Sequence, residues 1–382
     1  MTPMQSKLPQ VGTTIFTVMS RLAAEHGAIN LSQGYPDFDP PARLVDLVGQ
    51  HMRAGHNQYA PMAGLPELRE QVARKVLEHS GRRVSAEDEV TVTAGGTEAL
   101  FCAIQAVVGA GDEAVLLDPA YDSYEPAVRL AGGRCIRVPL QRPAFSVDWQ
   151  RVADALTPRT RLVIVNSPHN PSGAVLGRTD LDALAVLLRD RDVLVLGDEV
   201  YEHMVFDGMR HQSLLSHPEL AARSLVVSSL GKTCHCTGWK VGYCVAPPAL
   251  TTEFRKVHQF VQFAVATPMQ AAFADYLREF PGHARDLPAF YQRKRDLFCE
   301  LLSRTRLRFV PAAGSYFQLA DYSAVSERPD VEFVRWLTIE HGVAAIPISV
   351  FSERPPDERI VRFCFAKSDG TLAAAAERLM QL

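Results

Sequence analysis

Long apolar runs are missing from this chain, and none of its segments is long enough to cross a bilayer. The opening residues, MTPMQSKLPQVGTTIF, contain no continuous hydrophobic stretch of the kind that forms a secretory leader. Strong charge of either sign is missing too. Lys and Arg total 40 against 43 Asp and Glu, a formal net charge of −3, so nothing points to nucleic acid or an anionic membrane as a partner. Cysteine is sparse: seven residues at irregular spacing make an odd number for a disulfide framework, which favours reduced thiols and a cytoplasmic location. No internal repeat or low-complexity tract stands out. Several site signatures are incomplete. Gly231-Lys232-Thr233 matches the tail of a phosphate-binding loop, but Val226 stands where that loop needs its first glycine. Gly109-Ala110-Gly111 follows a helical pattern instead of a strand, the wrong context for a dinucleotide fingerprint. Cys234-His235-Cys236 has no second pair at zinc spacing, so no metal is expected. No Gly-x-Ser-x-Gly elbow occurs.

What is present is a regular alternation. Short apolar, β-branched runs at 89–93, 114–117, 134–138, 162–165, 193–196 and 225–227 read as strands, and helical patterns at 99–108 and 181–188 lie between them. Near-continuous apolar strands of this kind predict an α/β fold with a mostly parallel sheet covered by helices on both faces. Before the sheet, helical patterns cover about 16–26, 41–54 and 66–79. After it, helices are expected at 251–261, 267–280 and 291–304, then short strands at 309–310, 316–319 and 360–366 among helices at 331–341 and 371–382. This last part is an α+β pattern. The expected organisation is an N-terminal arm over 1–40 that joins a smaller α+β domain at 285–382, with a large domain at 41–284 between them.

In a parallel sheet ligands sit beyond the carboxyl ends of the strands, and in this chain the polar clusters fall there. The stretch Ser224–Tyr243, SLVVSSLGKTCHCTGWKVGY, ends a buried strand in Ser229 and Lys232, with Lys240 further on. Lys232 reads either as a solvated loop residue or as an amine reaching into a cleft. Gly95, Gly96 and Thr97 join a strand to a helix; they form either a plain turn capped by Thr97 or an anion site at the helix N-terminus. Tyr121, Asn170, Asp198 and Tyr201 end other strands. Alone, Asn170 is a turn residue before proline and Asp198 a helix cap or surface acid. Together these groups suit pyridoxal phosphate. Its aldehyde needs an amine, its pyridine nitrogen a carboxylate, its phosphate backbone amides, hydroxyls and a cation, and its ring an aromatic neighbour.

The motifs NLSQGYPDF, NQYAPMAGLPELR, AGGTEAL, DPAYDSY, NSPHNPSG, GDEVYE, SSLGKTCHCTGWKVGY and VRFCFAK occur in that order. With them the chain resembles the fold-type I pyridoxal-phosphate aminotransferases of class I and II, and most of all the branch that holds the methionine and kynurenine aminotransferases. The resemblance runs from about Asn30 to Ala366. It implies that Lys232 carries the cofactor as a Schiff base and then moves a proton, and that Asp198 pairs with the pyridine nitrogen. Asn170 and Tyr201 are implied to bond the ring oxygen, and Tyr121 to stack on the ring. Gly95, Gly96, Thr97, Ser229 and Lys240 would take the phosphate. Tyr59 would reach it from a neighbouring subunit, which makes the expected unit a homodimer. Arg362 would clamp the substrate carboxylate as a bidentate fork, helped by Gly34 and Asn170, while Phe16 and Tyr35 would line the side-chain pocket. Lys240 departs from many relatives, which carry arginine there; a point charge binds phosphate less directionally than a planar fork. The implied activity is transfer of an amino group from a methionine-like, apolar or aromatic L-amino acid to a 2-oxo acid. A carbon–sulfur β-lyase on the same scaffold is the alternative. A cofactor-sensing regulator would need an added DNA-binding segment, for which the chain before Gly12 is short.

Overall fold

A computed structural model of the chain describes residues 5–355 and 357–382. The first four residues of the expected arm lie outside the described residues. The centre is a seven-stranded sheet. Its strands are Val90–Thr93 (β1), Glu113–Asp118 (β2), Arg134–Pro139 (β3), Thr160–Asn166 (β4), Leu194–Asp198 (β5), Ser224–Ser229 (β6) and Gly242–Val245 (β7). They lie in the order β1-β7-β6-β5-β4-β2-β3, and β7 alone runs against its neighbours.

The apolar runs work by their period of two. Val115, Leu117, Val163, Val165, Val195 and Val226 face one core cluster. Ala114, Leu116, Leu162, Ile164, Leu196, Leu225 and Val227 face another on the opposite side. Each buried Val, Leu or Ile among them contributes about 1.5–3 kcal/mol against exposure. Helices cover both faces, among them Pro66–Ser80 on the first and Gly95–Val107 on the second.

A second sheet is antiparallel and three-stranded: Phe317–Asp321 (β8), Ile346–Pro347 (β9) and Ile360–Cys364 (β10), ordered β9-β10-β8. Its core takes in Met19 of the helix Ile15–Glu25, Leu31, and the rings of Phe333 and Phe363. Ile29–Asn30 also pairs with Val343–Ala344, which binds the early chain to the late one. No helix among the described residues is long and apolar enough to cross a membrane.

Four local expectations change. Strand β7 is an addition; its four residues are buried but too few to show a period. Phe309-Val310 forms no strand, and only a single bridge links Arg308 to Asp321. The helix expected from 291 begins at His283 and contains Pro288, so it runs across residue 285. Leu287 and Tyr291 are buried on either side of that proline, and their packing outweighs the one backbone bond it cannot make. The helix expected from 99 begins at Gly95, so the glycines are its first turn and not a loop before it.

Candidate active site

A cavity of about 300 Å³ opens at the carboxyl ends of β4, β5 and β6. Ser229 ends β6 and caps the single helical turn Leu230–Thr233, its Oγ accepting the Lys232 N–H at 3.3 Å. That turn fixes the root of Lys232. The Lys232 Nζ donates to the Tyr316 hydroxyl at 2.6 Å and to the Gly34 carbonyl at 3.0 Å. Burial pushes its pKa down to about 8; Lys240 and Arg362 push the same way, while Cys364 and Asp198 oppose.

Asp198 ends β5 and is buried. The Tyr124 hydroxyl donates to its Oδ2 at 2.6 Å, and the Val200 N–H lies 3.3 Å from its Oδ1. Burial pushes the carboxyl up to about 6, against those two donors and Lys232. Asn166, at the end of β4, ties the neighbouring loop to this strand. Its Nδ2 donates to the Asp198 carbonyl at 2.8 Å, and its Oδ1 accepts the Asn170 N–H at 2.7 Å.

The helix Gly95–Val107 points its N-terminus at the same cavity. Ala94 supplies no side-chain cap, so the first-turn N–H groups have no cap bond from that residue. Gly95 has φ +79°, and a Cβ there would stand 3.1 Å from the Lys240 Nζ, so the glycine lets the ammonium lie against the helix end. Gly96, Thr97 and Ser229 line the cavity beside them. Uncapped amides, a dipole end, two hydroxyls and an ammonium make up an anion site.

Arg362 leaves β10 fully buried. Its Nη1 donates to Asn170 Oδ1 at 2.6 Å and its Nη2 to the Ser32 carbonyl at 3.1 Å, while its Nε has no partner among the described residues. Its guanidinium lies 3.8 Å from the ring centre of Phe317, 5.3 Å from Phe16 and 5.4 Å from Phe351. Burial pushes it down to about 10, so it remains a cation at neutral pH. Because Arg362 occupies the Asn170 oxygen, the Asn170 amide nitrogen is left as its free donor.

Phe16, Gly34, Tyr121, Tyr201 and Lys240 line this cavity together with Lys232, Asp198, Asn170 and Arg362. Two expected residues do not. Tyr35 is 44% exposed, and its ring lies under the Lys367 ammonium at 4.6 Å. Tyr59 is 84% exposed and packs edge-on against Phe263. Tyr124, Tyr316, Asn166 and Phe317 also belong to the site and are not among the residues expected from the sequence. Tyr124 and Asn166 lie within quoted motifs, DPAYDSY and NSPHNPSG, as their second tyrosine and first asparagine. Tyr316 and Phe317 carry no local signal, since they meet Lys232 and Arg362 only through the fold.

An amine beside a buried carboxylate, a phosphate-sized anion site and a half-satisfied buried arginine fit pyridoxal phosphate and an amino-acid substrate. The chain belongs to the class I and II aminotransferases: the model of that family, "Aminotransferase class I and II", matches residues 26–379. It is an aminotransferase, and the family depends on pyridoxal phosphate. Among individual relatives, the chain is 54% identical over 378 residues to the methionine aminotransferase of Escherichia coli, covering 99% of this chain and 98% of that one. It is 37% identical to human kynurenine–oxoglutarate transaminase 1, covering 94% and 93%. The crystal structure of YbdL from Escherichia coli, described as having a methionine aminotransferase function, superposes with a TM-score of 0.97 at 54% identity over the whole of both chains.

Proposed function

We propose that this aminotransferase takes methionine-like L-amino acids as donors, uses aromatic donors as well, and works as a cytoplasmic homodimer. The carrying observation is the composition of the cavity. Arg362 is its one arginine among the described residues, and Phe16, Leu100, Val200 and Phe317 are its aliphatic and phenyl members. One arginine answers the α-carboxylate, and no second one is present to hold a side-chain carboxylate. The names of the methionine and kynurenine relatives support the same reading.

Pyridoxal phosphate, when bound, supplies an aldehyde that condenses with amines and a ring that withdraws electrons. Lys232 would be the amine that holds it, and its Nζ stands in the cavity where it could accept a proton from the substrate Cα. A lowered pKa keeps part of that amine neutral near physiological pH. Asp198 would hold the proton on the ring nitrogen, and the Tyr124 hydroxyl keeps the carboxylate in place. Tyr201 and the Asn170 amide would donate to the ring oxygen, and Tyr121 would cover the ring. Gly95, Gly96, Thr97, Ser229 and Lys240 hold the phosphate. Arg362 binds the substrate carboxylate through its free Nε and remaining N–H groups.

The exposed rings of Tyr59 and Phe263, with Phe260 85% exposed nearby, support a dimer in which Tyr59 completes the partner's phosphate site. A large domain at 41–284 and a small one at 285–382 with the 1–40 arm remain the proposed division, with its boundary inside the helix His283–Leu302. A donor panel against several 2-oxo acids tests the substrate reading. Methionine should exceed aspartate in kcat/KM by more than about tenfold, the value of a missing charge partner. Aspartate far above methionine refutes it, and pyruvate and ammonia release from cystathionine without an oxo acid favours the β-lyase.

A further inference from the structure

A second cavity, about 720 Å³, has no lining residue in common with the cleft just described and lies between the helix Pro66–Ser80, the segment 202–216 and the start of the helix His283–Leu302. Its volume is within the usual range for ligand sites, about 300–1,000 Å³. None of the residues given catalytic or binding roles above lines it.

Its inner wall is polar and incompletely satisfied. The Nε2 atoms of His79 and His203 and the Nδ1 of His211 are buried without a hydrogen-bond partner among the described residues. His203 and His211 are each 8% exposed. His211 is fixed through its other nitrogen, 2.9 Å from Glu199 Oε2. Burial keeps His79 and His203 below their ordinary pKa, so each presents a neutral ring with one N–H to donate. Orphaned polar atoms of this kind require a polar occupant, whether water or a ligand.

The charge pattern selects the sign of that occupant. Glu202 faces His79 at 3.9 Å and His203 at 3.8 Å, but Lys75 already neutralises it at 2.5 Å, while Glu199 is taken up by His211 and the Leu214 N–H. A metal cation bound there would meet the Lys75 ammonium. At the mouth, Arg74, Arg210 and Arg285 are exposed and form no ion pair among the described residues, against Glu78 alone. Val205, Leu277 and Pro288 give the wall an apolar strip, with Met209 47% and Phe280 43% exposed at the opening, beside the neutral polar Gln71, Ser80, Gln212 and Ser216.

We propose that this cavity binds a small organic carboxylate with an apolar tail. The carboxylate meets the imidazoles of His79 and His203 under the arginine rim, and the tail lies along Val205, Leu277 and Phe280. The site shares its wall with the catalytic cleft, because Glu202 and His203 continue directly from Tyr201, and Ser228, which donates to Glu202, adjoins Ser229.

The probe is 4-bromobenzoate, titrated calorimetrically into the holoenzyme and soaked into its crystals, where bromine is located by anomalous scattering. The expected result is a bromine peak in this cavity with the carboxylate within hydrogen-bond distance of His79 or His203. In solution, one equivalent per chain should bind beyond any taken by Arg362. Ala284→Trp, which fills the cavity from the helix His283–Leu302, should remove that equivalent without removing turnover. Arg210→Ala, at an exposed position that does not threaten folding, should weaken it about two- to fivefold. A peak only at Arg362, ordered water alone in the cavity, binding at crystal concentration only, or an extra equivalent unchanged in both variants overturns the proposal.

Discussion

At the scale of single residues the chemistry depends on burial. Lys232 and Arg362 both lose part of their preference for charge on leaving water, and Lys232 loses enough to matter near neutrality. The consequence can be read in the enzyme stripped of cofactor. Below about 8 the Lys232 amine carries a proton and cannot attack the aldehyde of pyridoxal phosphate, and above it the free amine dominates. Recombination with the cofactor, followed by visible absorbance, should therefore speed up with pH and level off just past 8. A rate that keeps rising toward about 10.4, the value of an ordinary lysine, would place Lys232 in water. The residues marked by type and by a place at or just past a strand end are Lys232, Asp198 and Asn170, whereas Arg362, in the middle of β10, was expected only from the resemblance to the aminotransferases. Tyr316 was illegible because its contact with Lys232 spans the chain from one sheet to the other, and no local pattern encodes such a distance.

Elements set the directions of these groups. Parallel strands deliver Asn166, Asp198 and Ser229 to one edge, and the helix starting at Gly95 brings its uncapped amides to the same place. Gly95 is the tightest point of that design. An alanine there meets both a left-handed φ and the Lys240 ammonium, at a cost of about 1–2 kcal/mol. In Gly95→Ala, equilibrium dialysis should give a dissociation constant for pyridoxal phosphate raised about tenfold, the equivalent of that energy. Unchanged affinity would remove the Gly95–Lys240 pair from the phosphate site. Most strands were legible because apolar runs buried on both faces are unmistakable. Gly242–Val245 was not, since a four-residue strand beside a glycine-rich loop has no period to read. Pro288 misled for the opposite reason: it signals a helix break locally, and only the packing of Leu287 and Tyr291 overrides it.

For the whole molecule the open question is where Tyr59 acts. A solvent-facing ring outside the cavity of its own chain makes sense if a second copy supplies the other half of the site. Mixed dimers of Lys232→Ala and Tyr59→Ala chains decide this. If Tyr59 serves the partner, one site in each mixed dimer carries both changes and the other neither, so turnover should recover to about half that of the unaltered dimer. If Tyr59 serves its own chain, each mixed dimer keeps one Tyr59→Ala site beside a dead one, so turnover will fall to about half that of the Tyr59→Ala dimer. The broad architecture was legible from alternating strands and helices. The placement of Tyr35 outside the cavity was not, because its ring packs against Lys367, far along the chain.

Every role assigned above depends on the cofactor being attached at one position. Borohydride reduction of the holoenzyme, followed by digestion and mass spectrometry, measures that attachment directly. The account predicts a single reduced pyridoxyl adduct, on the peptide containing Lys232, and none in Lys232→Ala. An adduct on another lysine, or no adduct after incubation with excess cofactor, would contradict it.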